Sequence, residues 1–272
     1  MRLNEVVRCG LSMVKDETEL QHYGILGMKW GVRRYQNKDG TLTNAGRMRK
    51  KGAKRKASLI KENFGVDVDR KEFMKPDKDS SKSVHLKAGE KVNHVTPNDF
   101  KKLRDGQDLF ISATDYDKNL YRSFLTMQMK HKGFGKDTPI HEVEFMLQQD
   151  LVSPSNNEQR KIFEKVYNSN KKVFDDDINE YYKKPNDNSS DVYDMFIKSL
   201  DKSGQLSKSL FYDAMKQAGY NAVLDQHDVD NSWMGASRPL IVMDAVNTLG
   251  EMRVSDISND DIKNSLSRLG YL

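Results

Sequence analysis

The chain has a single cysteine, Cys9, among its 272 residues. One thiol cannot form a disulfide within the chain, so disulfide stapling is excluded and we expect a reducing, intracellular setting. No apolar run approaches the roughly 18 residues that a membrane-spanning helix needs, so no membrane span is expected. The sequence also lacks a P-loop, a dinucleotide glycine fingerprint, and the CxxC, HExxH and Gly-x-Ser-x-Gly motifs. The common signatures of phosphate, metal and serine chemistry are therefore missing.

What the sequence does have is an uneven distribution of charge. The formal net charge is +5. Residues 29–61 hold twelve Lys and Arg and one acid, Asp39, so a basic segment precedes a mildly acidic remainder. Such a segment can bind nucleic acid or another polyanion through salt-dependent phosphate contacts, or it can form a solvated, partly helical tether.

Shifts in composition predict three parts. Residues 1–65 form an N-terminal arm, residues 66–83 a linker rich in turn formers, and residues 84–272 a globular domain. Within the arm, residues 44–62 have helical character but are polar nearly all round. A helix of this kind needs a partner to be stable.

The globular part interleaves short strands with helices. The expected strands are 84–86, 91–95, 109–113, 140–147, 221–225 and 239–244. A helical turn is expected from Pro97 to Leu103, with Thr96 as its N-cap. Because the gaps between strands are irregular, the pattern favours an α+β fold over a doubly wound parallel sheet. We expect a small mixed or antiparallel sheet with flanking helices.

One run of the arm, residues 22–35, has the sequence HYGILGMKWGVRRY, with three glycines among large rings and a basic pair near its end. Glycines permit positive φ and amphipathic rings supply contact area, which suits a compact loop or a docking peptide. Residues 22–46 resemble a short module near the N-terminus of many proteins from tailed phages and prophages of Gram-positive bacteria, often from the head-morphogenesis and portal region. The resemblance implies a phage-encoded protein of the virion or the host cytoplasm. Residues 22–35 would then dock on a capsid, portal or host protein, whereas the alternative is an aromatic loop packed on the protein's own core.

The globular part has a second resemblance, which lies in the order of five sequence segments along the chain. These segments are LKAGEKVNHVT, LRDGQDLFISATDYDKNLY, HEVEFML, GYNAVLDQHD and SRPLIVMD. This order is similar to that of ADP-ribosyltransferase-like domains of phages and bacterial toxins. In that family a first strand bears an Arg or His that holds nicotinamide adenine dinucleotide (NAD), and a second strand bears a Ser or Tyr motif. A nearby Tyr stacks on the nicotinamide, and a Glu on a late strand stabilises the sugar cation as nicotinamide leaves. The resemblance implies this fold and NAD as a substrate.

Carried over residue by residue, the resemblance assigns roles to positions of this chain. The implied catalytic residues are His94, Ser112, Tyr121, Asp225 and Asp228. The implied NAD-binding residues are His94, Thr96, Ser112, Thr114, Tyr116 and Tyr121.

The late strand departs from the family. Ser237 and Arg238 stand where the Glu is expected, and the nearest carboxylates are Asp225, Asp228 and Asp230 in the preceding segment. Either an Asp takes the place of the Glu, or the fold has kept its shape without transfer activity. Three functions therefore stay open: an NAD-dependent ADP-ribosyltransferase, a non-enzymatic phage structural or packaging protein, and an anti-defence binder that sequesters a nucleotide or a host protein.

Overall fold

A computed structural model describes residues 35–37, 39–74, 82–132, 138–181, 192–200, 202, 205–230 and 232–272. The chain divides into two compact units, Met1–Arg47 and Met48–Leu272. The sequence had suggested a later division, with an arm to residue 65 and a linker over 66–83. In the structure, residues 48–64 belong to the same unit as the globular part.

Helices and short strands alternate along the described chain. The helices are α1 (Asn44–Phe64), α2 (Asp115–Leu120), α3 (Thr126–Lys132), α4 (Asn156–Ser169), α5 (Lys171–Tyr181), α6 (Val192–Ser199), α7 (Leu206–Gln217), α8 (Gln226–Asp230), α9 (Ala245–Thr248) and α10 (Asn259–Arg268). The strands are β1 (Val84–Leu86), β2 (Lys91–Thr96), β3 (Leu109–Ser112), β4 (His141–Leu147), β5 (Leu151–Ser153), β6 (Ala222–Leu224), β7 (Pro239–Val242) and β8 (Leu249–Asp256). A 3₁₀ turn spans Arg70–Met74, and a π-helical segment, Tyr121–Leu125, joins α2 to α3.

A six-stranded antiparallel sheet with the order β6-β7-β3-β2-β4-β8 organises the second unit, and β1 pairs with β5 beside it. The predicted α+β class is therefore confirmed. Asn93 of β2 lies opposite Ser112 of β3, and Ser112 also lies opposite Pro239 of β7. Strand β3 thus lies between β2, which precedes it in the chain, and β7, which comes from much later in the sequence.

Two of the elements that differ from the sequence prediction have a clear physical reason. The stretch from Pro97 to Leu103 is irregular rather than helical, because Thr96 Oγ1 accepts a hydrogen bond from the Asn98 N–H at 3.1 Å and closes a short turn instead. Strand β8 was not predicted. Most of its residues are exposed at the sheet edge, so its sequence lacks the apolar alternation that marks a half-buried strand.

Residues 48–64 of helix α1 belong to the second unit and pack into its core. Leu59 and Ile60 are fully buried in a cluster that includes Phe124 and Leu266. The core of the domain therefore supplies the packing partner that a helix of such polar sequence needs to be stable. Because a Cβ at Gly52 would overlap the carbonyl oxygen of Trp233, only glycine permits the helix to approach the 232–238 segment this closely.

Among the helices in the described ranges, we find none that is both long enough and apolar enough to cross a membrane.

Candidate functional site

His94 lies on β2 and is partly buried. Its Nδ1 donates a hydrogen bond to the carbonyl oxygen of Phe110 on β3 at 2.8 Å, and its ring lies 5.9 Å from that of Phe100. Burial lowers the pKa of His94, and the Phe110 carbonyl opposes this shift only in part. The ring is therefore a neutral group, with Nδ1 protonated by its hydrogen bond and Nε2 left as an acceptor.

The next predicted residues have mainly structural surroundings. Ser112 is buried in the sheet. Thr114 caps α2, since its hydroxyl accepts from the Asp117 N–H at 3.1 Å. Tyr116 lies on the first turn of α2 with 38% of its surface exposed. The structure does not place these residues, Ser112, Thr114 and Tyr116, in the lining of the two cavities described below.

Tyr121, Asp225 and Asp228 form a connected group. Tyr121 is the first residue of the π-helical segment, and its hydroxyl donates to the Asp228 carboxylate. Its ring meets that of Phe110 edge-on, with centroids 5.1 Å apart. Asp225 precedes α8 and its carboxylate accepts from the Asp228 N–H at 3.1 Å. Local π-helical geometry frequently marks functional sites, because it re-aims a side chain that a regular helix would direct elsewhere.

Two cavities adjoin this part of the sheet. The larger, about 1440 Å³, lies between residues 98–109 and helix α7, and His94 and Thr96 line it. The smaller, about 400 Å³, is lined by Phe110, Ile241, Ile197, Leu200, Asp108, Lys198, Asp225 and His227. Asp108 lines both cavities. Its carboxylate accepts from the Tyr212 hydroxyl and from Lys208 Nζ, each at 2.7 Å.

His94 and Asp225 consequently occupy different cavities. Successive side chains of a strand point to opposite faces. Asn93 lies opposite Ser112, so Asn93 shares a face with Ser112 and Phe110, and His94 belongs to the other face. The expected early His and late Asp are therefore not brought together; they line two separate cavities that share Asp108 as a lining residue.

The Asp225 carboxyl has the properties of a group poised for proton transfer or charge stabilisation. Burial raises its pKa to about 7, and the neighbouring Asp228 carboxylate acts in the same direction. Its backbone N–H donates to the Pro239 carbonyl at 2.9 Å, which places Asp225 beside the first residue of β7. A carboxyl that changes charge near neutral pH inside a cavity is a candidate site residue.

Sequence reasoning missed Asp117, which lies fully buried on α2. Its two carboxylate oxygens accept from the backbone N–H groups of Ser237 and Arg238 at 2.6 and 2.7 Å. Burial raises its pKa to about 6, although these hydrogen bonds favour the charged form. The residue anchors the segment that leads into β7, and no sequence pattern marked it because its partners are 120 and 121 positions away.

Lys56 of α1 is a second residue whose role the sequence pattern did not indicate. The pattern marked it only as one of the basic residues of the 29–61 segment. It is buried, and its ammonium donates to the carbonyl oxygen of Met234. Burial lowers its pKa to about 7, and the charges of Asp228 and Asp117 oppose this shift. Lys56 thus ties helix α1 to the acidic group around Asp228.

The basic segment is only partly available to a polyanion. Besides Lys56, Arg55 donates to the Gln128 side chain at 2.7 Å and Lys61 pairs with Asp67 at 2.8 Å. Lys50, Lys51 and Lys54 remain exposed on α1. Residues 1–34, with the aromatic-glycine run up to position 34, lie outside the described residues.

A metal centre finds no support in the part of the chain that the structure describes, where His, Cys, Asp and Glu side chains form no group that could hold an ion. The smaller cavity presents the carboxyl groups of Asp108 and Asp225 and the imidazole of His227 beside apolar side chains. The Tyr121 hydroxyl donates to Asp228, and neither residue is in the lining of the two cavities.

Comparison with known proteins identifies one feature. Residues 13–37 match the model of a family described as a family of unknown function, DUF7211. No curated protein and no solved structure matches the chain.

Proposed function

We propose that the second unit is an ADP-ribosyltransferase-like domain that binds NAD and cleaves its bond between nicotinamide and ribose. The observation that carries the proposal is the position of Asp225 beside the start of β7. There it can supply the carboxylate that the related domains supply with Glu. The placement of β2, β3 and β7 side by side in one sheet supports the same proposal, since the resemblance assigns its early His to the first of these strands, its Ser motif to the second and its catalytic carboxylate to the start of the third.

The two cavities suit the two ends of an elongated dinucleotide. In this arrangement the nicotinamide ribose lies in the smaller cavity, over Phe110 and Ile241 and next to Asp225. The rest of the molecule passes around the start of β3 at Asp108 into the larger cavity, where His94 Nε2, on the other face of the sheet, can accept a hydrogen bond. As nicotinamide leaves, positive charge builds on the ribose, and the ionised Asp225 stabilises it in surroundings that exclude much of the water.

Release of nicotinamide from NAD by the full-length protein, followed by chromatography, tests the proposal. Asp225→Asn is expected to lower the rate about 100-fold or more, whereas Asp176→Asn, an exposed acid on α5, should leave it unchanged. Because the ionised carboxylate is the active form and its pKa is raised to about 7, the wild-type rate should increase as the pH rises from 6 to 8. No release by the wild-type protein, or equal release by Asp225→Asn, would overturn the proposal.

We also propose that residues 22–35 dock the protein on a phage capsid or portal protein or on a host protein. The family-model match covers residues 13–37 and stops before the globular domain, which supports a separate module. Exposed Lys50, Lys51 and Lys54 are the described part of the basic segment that suits a polyanion. The protein would then act in the virion or the host cytoplasm.

Particle association tests the docking proposal. The full-length protein is expected to sediment with phage particles, and Trp30→Ala combined with Tyr23→Ala should release it. Absence of the wild-type protein from particles, together with an unchanged set of co-purifying host proteins in the variant, would exclude docking through this run.

A further inference from the structure

His227, which lines the smaller cavity, forms a titratable pair with Asp194. His227 Nδ1 lies 3.3 Å from Asp194 Oδ1, and the two side chains are 21% and 19% exposed. His227 and Asp225 both line the cavity. Asp194 comes from α6 and His227 from α8, so the pair joins two helices on one side of the space.

The hydrogen bond to Asp194 fixes the chemistry of the imidazole. A carboxylate accepts a hydrogen from Nδ1, so the neutral ring carries its proton there and presents Nε2 as a proton acceptor. Such an Asp–His arrangement orients the ring and stabilises the imidazolium that forms when Nε2 takes up a proton. In this chain the free acceptor belongs to a residue that shares the cavity with Asp225.

We infer that His227, oriented by Asp194, is the base that accepts the proton of an oxygen nucleophile, either water or a hydroxyl group. The inference rests on the proposed function. The bond between the ribose C1′ and the nicotinamide nitrogen breaks, and its electron pair leaves with nicotinamide, which departs uncharged. The nucleophile's oxygen forms the new bond to C1′, and its proton passes to Nε2 of His227.

The charges around His227 agree with this role. The charge of Asp225 acts on it from the same segment, those of Asp194 and Lys198 act from α6, and Asp108 lines the same cavity. Burial alone would lower the pKa of His227, but the hydrogen bond and charge of Asp194, with the charge of Asp225, outweigh it and raise the pKa. The surroundings therefore stabilise the imidazolium that the proton transfer generates.

His227→Ala in the full-length protein tests the inference. The rate of nicotinamide release at saturating NAD is expected to fall about 100-fold to 10,000-fold, with little change in the KM for NAD. Added imidazole should restore part of the rate, because a free base can enter the space that the side chain has left. His131→Ala is the matched control, since His131 is an exposed histidine on α3 that lies 3.5 Å from Glu62.

Asp194 acts through His227, so its test needs a readout at the ring itself. In Asp194→Asn the pKa of His227, followed by NMR of the imidazole protons, should fall below the wild-type value. The product identifies the nucleophile: ADP-ribose for water, or an O-linked ADP-ribosyl adduct for a hydroxyl group.

The outcomes separate the two claims. Release by the wild-type protein that persists in His227→Ala, or an adduct linked through nitrogen, overturns the inference alone. No release by the wild-type protein overturns the proposed function and the inference with it.

Discussion

Alanine at position 52 is expected to destabilise the protein by about 3 kcal/mol, although alanine in a helix interior is favoured over glycine by about 1 kcal/mol. The added Cβ would overlap the carbonyl oxygen of Trp233 and lie 3.0 Å from its carbonyl carbon. Since the obstacle is backbone, no side-chain rotation can relieve the overlap, and α1 must move away from the 232–238 segment. Urea unfolding followed by circular dichroism measures the change.

Lys51→Ala is the control for this substitution. Lys51 is the neighbouring position on α1 and is exposed, so its change should stay within about 0.5 kcal/mol. If Gly52→Ala proved as stable as the wild-type protein, the close packing of α1 against the domain would be wrong.

Asp117→Ala is the second substitution with a large expected effect, a loss of about 3 kcal/mol in the free energy of unfolding. The carboxylate is fully buried and accepts from the Ser237 and Arg238 N–H groups. Its removal leaves two backbone donors without their acceptors next to the start of β7. Because Asp225 lies beside that start, nicotinamide release should fall together with stability.

Asp115 offers a matched comparison. It is an exposed acid on the first turn of the same helix, and Asp115→Ala should lower stability by less than about 1 kcal/mol, the usual contribution of a charge near a helix N-terminus. Equal losses in the two variants would show that the carboxylate of Asp117 does not anchor the 237–238 backbone.

The strands and helix caps of the domain could be predicted because their signals are local. The alternation over residues 91–95 predicts a strand, and these residues do lie in β2, although that strand is largely buried on both faces. Thr114 caps α2 through an equally local contact, since its hydroxyl accepts from an N–H three positions later. These features depend on neighbours in the sequence and on little else.

The position of α1 could not be predicted in the same way. Its sequence is rich in Lys and Arg, and the apolar residues that it buries, Ala53, Leu59 and Ile60, form too narrow a stripe to indicate a core helix. A buried lysine is rare unless it has partners. The partners of Lys56, namely Met234, Asp228 and Asp117, come from distant segments.

The candidate site was predicted in part. Asp225 was named as a substitute for the missing Glu, but the hydrogen bond that sets it beside Pro239 is a contact between strands and has no local signal. His94 was named as well, and it lies in the larger cavity rather than next to Asp225. The pairing of Asp194 with His227 spans 33 positions and depends on how α6 packs against α8, which no periodicity encodes.

Titration calorimetry of the full-length protein with NAD is the most direct test of the central claim, that the two adjoining cavities hold a nicotinamide dinucleotide. We expect saturable binding to the wild-type protein at one site, and weaker binding to His94→Ala, which loses its acceptor in the larger cavity. Absence of any saturable heat with the folded wild-type protein would contradict the claim.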